Sequence, residues 1–129
     1  MFRIGEFSKL TQVSIRMLRY YDEVGLLKPA EVDKWTGHRM YSVTQIPRLN
    51  RILYLRDSGF LVSEIALALE MNDRLLLETL DKKRLEIEQT IQNEQEKIRK
   101  IAIAKNEIQE SKGELQYNIS IKAIPEYQV

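Results

Sequence analysis

From Arg74 to Lys112 the chain contains neither proline nor glycine. That stretch constrains the fold more than any other feature, because the two residues that most readily end a helix are missing from it. Two series with a seven-residue spacing run through it. One is Leu77, Arg84, Ile91, Ile98 and Lys105; the other is Leu80, Ile87, Glu94, Ile101 and Ile108. Seven of these ten positions are apolar, which is the pattern of a coiled-coil seam. The expectation is a long helix within 73–113, with a break near Asp81 and its uninterrupted part over 82–112. At about 1.5 Å per residue that part spans roughly 46 Å. Alone, such a helix leaves its isoleucine stripe in water. The chain has no second long helix to fold back on it, so a second copy is the simplest partner. Leu80, Ile87, Ile91, Ile98, Ile101 and Ile108 are the expected dimerisation residues. Arg84, Glu94 and Lys105 on the seam point to a specified register, which this pattern leaves open.

The rest of the chain is short. Of 129 residues, about seventy remain before the long helix, enough for one small domain. No apolar run approaches the roughly 20 residues of a membrane span. Arg3 and Glu6 interrupt the N-terminus where a secretory signal would be apolar. With no cysteine there are no disulfides, thiolate metal sites or cysteine nucleophile, and the lone histidine, His38, cannot make a histidine cluster. The expected location is the cytoplasm, with no cofactor and no metal. The formal net charge of +1 hides an asymmetry. Residues 1–56 hold ten Lys and Arg against five Asp and Glu; residues 57–129 hold ten against fourteen. Positive charge gathers at the N-terminal end, as a nucleic-acid footprint requires.

Within that basic end, Ile4, Phe7 and Leu10 are spaced by three and predict a short helix face. Ser14 is a good N-cap for a second short helix to about Val24, with Gly25 placed to end it. Two short helices joined by a tight turn make a helix-turn-helix candidate. On the second helix, Leu18, Met17 and Tyr21 turn towards a core. Arg16, Arg19, Tyr20 and Glu23 fall together on the remaining face. An outward face of arginine and tyrosine suits phosphates and base edges: guanidinium pairs bidentately, and a phenol hydroxyl can donate to phosphate.

After Lys28 and Pro29, residues 30–37 read as a polar loop closed by Gly37, and 38–41 as a short strand. The strand is expected to pair with the segment near Leu27 as a two-stranded wing. Lys34, Trp35, His38, Arg39 and Tyr41 interleave aromatic and basic character there, as a wing along a phosphate backbone would. Ser42 and Gln45 form a capping box for a third helix to about Ser58, which Gly59 ends. A fourth helix is expected over about Val62 to Leu69, with Asn72 and Asp73 capping the long one. Gly113 is expected to end the long helix. Residues 117–129 alternate apolar and polar side chains and read as one β-strand, the start of a further domain.

Three stretches, IGEFSKLTQVSIRMLRYYDEVGLLKP (4–29), TGHRMYS (36–42) and LRDSGFLVSEI (55–65), closely resemble the MerR family of bacterial transcription regulators. The resemblance implies a mainly α fold: a winged helix-turn-helix DNA-binding domain over 1–72, then a linker and antiparallel coiled-coil dimerisation helix over 73–113. Residues 114–129 resemble the opening of the GyrI-like effector domain of multidrug-sensing members. It further implies that Ser14, Arg16, Arg19, Tyr20 and Tyr21 on the recognition helix face DNA, and Arg39 and Tyr41 match its wing directly; Lys28, Trp35 and His38 join the expected DNA-facing set on their own chemistry. Its frequent phosphate contact at Tyr21 conflicts with the inward direction read from the helix wheel. His38 stands where the family usually has tyrosine, Met17 where threonine is common, and Leu61 in place of a helix-capping Ser or Pro. The cysteine ligands of metal-sensing members are missing.

The resulting expectation is a homodimeric, sequence-specific regulator that binds an inverted-repeat promoter operator and controls transcription by distorting the promoter spacer. RNA polymerase is the expected partner at the promoter. A small-molecule inducer is expected only together with an effector domain. A coiled-coil protein-interaction adaptor is the alternative, although it gives no reason for the arginine-tyrosine face. No constellation of nucleophile, base and acid supports an enzyme.

Overall fold

A computed structural model of the chain describes residues 1–120, the last seven as backbone only. The order of elements is β1 (Phe2–Arg3), α1 (Ile4–Thr11), α2 (Ile15–Glu23), β2 (Glu31–Val32), β3 (Arg39–Tyr41), a 3₁₀ turn (Val43–Gln45), α3 (Ile46–Asp57), α4 (Val62–Leu69) and α5 (Asp73–Ser120). The chain divides into two compact units, Met1–Thr79 and a second beginning at Leu80.

In the first unit local chemistry fixes the helix ends. The Arg3 N–H donates to Glu6 Oε1 at 2.9 Å and opens α1. Gln12 closes it in the left-handed region at φ 60°, a conformation that costs a non-glycine residue roughly 1–2 kcal/mol. Two bonds hold that turn: Gln12 Nε2 donates to the Lys9 carbonyl at 2.8 Å, and Ser8 Oγ donates to the Val13 carbonyl at 2.6 Å. Ser14 then caps α2, its Oγ accepting from the Met17 N–H at 3.1 Å. At the other end Gly25, at φ 79°, lets the Leu26 and Leu27 N–H groups turn back onto the Tyr21 carbonyl. The expected caps and bounds of α2 thus match the structure to within a residue.

The sheet differs from expectation in two ways. β3 pairs antiparallel with β2, setting Val32 opposite Arg39, rather than with the segment near Leu27. Leu26 and Leu27 are buried in the core and cannot serve as a wing strand. β3 also pairs with β1, so the sheet has three strands in the order β1-β3-β2. Two residues of β1 carry no period that a sequence reading can detect. Pairing there places Phe7 of α1 under β3, where its ring stacks on Tyr41 at 4.9 Å between centroids. Val13, Leu18, Tyr21, Leu26, Leu27, Leu49, Ile52, Leu55, Phe60, Ile65, Ala68 and Leu76 are the other buried apolar residues described.

Ser42 and Gln45 form the expected box: the Ser42 N–H donates to Gln45 Oε1 at 3.0 Å, and Ser42 Oγ accepts from the Thr44 N–H at 3.2 Å. The same Gln45 donates to the Lys28 carbonyl at 2.6 Å, and Arg48 Nε donates to the Leu26 carbonyl at 2.8 Å. These two bonds tie the chain leaving α2 to the start of α3. At α4 the missing capping hydroxyl of Leu61 is offset by Glu64, whose Oε1 accepts from the Leu61 N–H at 2.7 Å.

Asn72 caps α5, accepting from the Leu75 N–H at 2.8 Å. The helix runs unbroken past Asp81 and through Gly113 to Ser120. Neither the break nor the stop expected from sequence occurs. One glycine costs a helix about 1 kcal/mol and does not end it without a left-handed turn, and Gly113 has none. Of the strand expected over 117–129, residues 117–120 are helical and 121–129 lie outside the described residues. Among the described residues no helix is long and apolar enough to cross a membrane.

Candidate nucleic-acid interface

The outward face of α2 is the one expected. Arg16, Arg19 and Glu23 are exposed, and Tyr20 is 40% exposed beside them. The Ser14 hydroxyl is occupied as an acceptor by its capping bond but keeps its own proton to donate. Ile15, at the start of the same helix, is exposed. It lines an open hollow of about 550 Å³ together with Arg3, Ile4, Lys9, His38 and Arg39. The hollow brings the start of α1, the start of α2 and β3 to one surface and adds Arg3 and Lys9, two cations the sequence reading did not single out.

Asp22 organises the charges between α2 and the wing. Its Oδ2 meets Arg39 Nε at 3.2 Å and its Oδ1 meets Lys28 Nζ at 3.3 Å. Lys28 Nζ also donates to the Asp22 carbonyl at 3.0 Å. Two candidate phosphate ligands from outside the recognition helix are therefore anchored to it by one largely shielded carboxylate. The bonds orient Arg39 and Lys28 and partly neutralise them, while both remain open to solvent. Nothing in the sequence around Asp22 announces this role. Ion pairs between an aspartate and residues six and seventeen positions away leave no local pattern.

The wing tip is built on Asp33. Its Oδ1 accepts from the Trp35 and Thr36 N–H groups at 2.8 and 3.1 Å, and the His38 N–H donates to Thr36 Oγ1 at 3.2 Å. The backbone bonds, that from Thr36 foremost, hold the Asp33 carboxyl below the usual carboxylate range. Gly37, at φ 73°, closes the loop. Trp35 stands on this tip 97% exposed, and His38 is exposed on its flank.

Two expected DNA-facing tyrosines are instead interior. Tyr41 is fully buried against Phe7, and its hydroxyl has no hydrogen-bond partner among the described residues. Burial raises its pKa above the ordinary phenol value. A phosphate has no access to that oxygen. The cause is packing from another element: Phe7 of α1 covers the Tyr41 ring, while Arg39, two residues earlier on the strand, stays exposed. Tyr21 is also buried, as the helix wheel indicated and against the family resemblance. Its hydroxyl accepts from Arg56 Nη1 at 3.1 Å. Arg56 is bound to Asp57 as well, and that hydrogen bond raises its pKa. It lies in a stretch quoted for the resemblance, yet nothing in its sequence neighbourhood connects it to α2. Among the described residues no three His, Cys, Asp or Glu side chains gather as a metal-ligand set.

Residues 2–72 match the model of the MerR HTH family regulatory protein. The chain is 45% identical over 74 residues to the multidrug-efflux transporter 1 regulator of Bacillus subtilis, a match covering 56% of this chain and 27% of that protein. Among solved structures, the EcmrR-DNA complex in EcmrR-RPo superposes with a TM-score of 0.61 at 35% identity, covering 70% of this chain and 33% of the other. The N-terminal part of the Bacillus subtilis multidrug transporter activator, MtaN, gives 0.52 at 29% identity, covering 72% and 93%. The chain thus spans only about a quarter of the length of the curated relative.

Proposed function

The chain belongs to the MerR HTH family of regulatory proteins, and on that premise we propose that it binds an inverted-repeat promoter operator as a homodimer. Family membership makes it a DNA-binding regulator and not an enzyme. The finer reading concerns how it does so. In this account Arg16, Arg19 and Tyr20 enter the major groove, and Ser14, Lys28, His38 and Arg39 grip the flanking phosphates. Trp35 lies along the backbone from the wing tip. Tyr21 and Tyr41 support these elements from inside.

The observation that carries this reading is the outward Arg16, Arg19 and Tyr20 face of α2, set beside a wing whose Arg39 is fixed to the same helix through Asp22. Guanidinium groups held in place serve bidentate recognition of guanine edges or phosphates better than mobile ones. Two such faces, joined by the seam of α5, would match the two halves of an inverted repeat. Deformation of the base pairs between the halves would supply control of transcription without direct contact to them, through sequence-dependent stiffness. RNA polymerase is the partner this mechanism requires, and the cytoplasm the compartment.

The test is selection of duplexes from random sequence by the full chain, followed by salt titration on the enriched site. The expected result is a palindromic site whose affinity falls steeply with salt, by about 10³ or more between 50 and 200 mM if six or more phosphates are contacted. Failure to enrich any sequence, with a flat salt response, would favour a protein-interaction role for the same domain.

A further inference from the structure

We propose that two copies of the chain pair antiparallel along α5 in the one register that sets Arg84 opposite Glu94 of the second copy. This rests on the homodimer reading above and specifies its interface. Ile87, Ile91, Ile98, Ile101 and Ile108 are all exposed on α5, with Ile98 at 66%, while Leu80 is half-buried. No long helix elsewhere in the described chain covers them. In an antiparallel pair each layer joins a residue of one heptad series to one of the other. Only shifts by whole heptads keep both series on the seam, so the choices are few.

With Arg84 opposite Glu94, Leu80 meets Ile98 and Ile87 meets Ile91, and symmetry repeats each layer. Every apolar side chain between Leu80 and Ile98 then faces another, and both charged ones face an opposite charge. A shift of one heptad sets Ile91 against Glu94, Arg84 against Ile101 and Leu80 against Lys105. A shift of two sets Glu94 against Ile98, Ile87 against Lys105 and Arg84 against Ile108. Each leaves three charged groups opposite apolar ones, with desolvation uncompensated. A shift of three pairs Glu94 with Lys105 and Ile91 with Ile108, but it places Ile87 against Lys112. One heptad the other way puts Arg84 against Ile87. Over the same length the first register also sets Leu77 against Ile101 and Asp73 against Lys105 and leaves Ile108 beyond the start of the second copy's helix, so complementarity selects it.

The side chains can make this pair. Arg84 donates from Nε and Nη2 to Asp81 and from Nη1 to Glu88 at 2.8 Å, which uses three of its five N–H groups. Lys97 engages one oxygen of Glu94 at 2.9 Å, and a carboxylate accepts at both. Near the twofold axis Glu88 lies beside its own counterpart, and the Arg84 guanidinium already bonded to it offsets that repulsion.

Two measurements on the full chain test the register. The sequence has no cysteine, so single cysteines report cleanly. Mixing the Ile87→Cys chain with the Ile91→Cys chain under mild oxidation is expected to give a disulfide-linked pair, with neither variant cross-linking to itself. In addition, Arg84→Glu should weaken association at least about tenfold, the scale of two surface charge pairs, and Arg84→Glu/Glu94→Arg should restore it. Cross-linking instead between Ile91→Cys and Ile108→Cys, or no rescue by the double reversal, would overturn this register while leaving the dimer. Self-cross-linking of Ile87→Cys would mean a parallel pair and overturn it equally. A monomer of the unsubstituted chain in sedimentation would overturn the homodimer reading itself.

Discussion

The helices α2 and α5 each leave one face uncovered, and the two faces are chemically opposite. That of α2 carries arginine and tyrosine, while its other side is sealed in a core with Leu18 and Tyr21 buried. That of α5 from Leu80 onward is a line of isoleucines with ion pairs around it, among them Arg84 with Asp81 and Glu88, Lys97 with Glu94, and Arg99 with Glu96. The first helix is held by its own chain and offers cations that suit a polyanion. The second has almost no buried side chain among its described residues and offers a stripe that suits another apolar surface. Exposure alone does not identify a site; the chemistry of what is exposed names the kind of partner.

Substitutions can break this contrast or sharpen it. The largest effect should come from Leu18→Ala. It empties a fully buried position behind the recognition face and should lower the unfolding free energy of the first unit by about 2–5 kcal/mol in chemical denaturation. The same truncation at Ile98, which is mostly exposed, should leave that transition unmoved and weaken self-association in sedimentation. Equal destabilisation by both would erase the contrast. Next in size, Ser14→Ala removes the N-cap acceptor of α2 and should cost about 1 kcal/mol in the same denaturation experiment.

Tyr41→Phe sharpens the correction made at the wing. It deletes a buried hydroxyl that has no partner among the described residues, so stability should hold or rise by up to about 1 kcal/mol, with DNA affinity unchanged. A loss of affinity would return Tyr41 to the interface. The smallest effect concerns pH. Asp33 is held below its ordinary pKa by backbone N–H groups, so its contribution to wing order is present above the unfolded carboxylate pKa and fades as pH falls through the lower folded value. Protection of the Trp35 and Thr36 amides, taken relative to their intrinsic exchange rates at each pH, should fall on that acid side, and Asp33→Asn should remove the dependence.

Where the signal was local, sequence was enough to place the structure. Ser14, Gly25, Ser42 with Gln45, and Asn72 each set a helix end within a residue or two of themselves, because capping joins near neighbours. The long helix and its exposed isoleucines are equally legible, since periodicity and the absence of breakers are properties of one helix. Long-range bonds were not. Asp22 with Arg39, Arg56 with Tyr21, and β1 with β3 depend on segments that meet only after folding. The burial of Tyr41 is hidden from sequence for a related reason. A three-residue strand is too short to show which side faces the core, and the stacking partner, Phe7, lies on another element. Gly113 shows the limit of punctuation: a helix-breaking residue did not end the helix.

The most direct measurement compares two arginines of equal charge on the enriched duplex. Arg19 lies on the outward face of α2, and Arg99 lies on α5 paired with Glu96. Arg19→Ala should cost about 1–3 kcal/mol of discrimination between the selected site and a scrambled one, and Arg99→Ala should change neither affinity nor discrimination. If both substitutions weakened binding alike and left discrimination intact, overall positive charge would account for binding, and the recognition role given to α2 would be wrong.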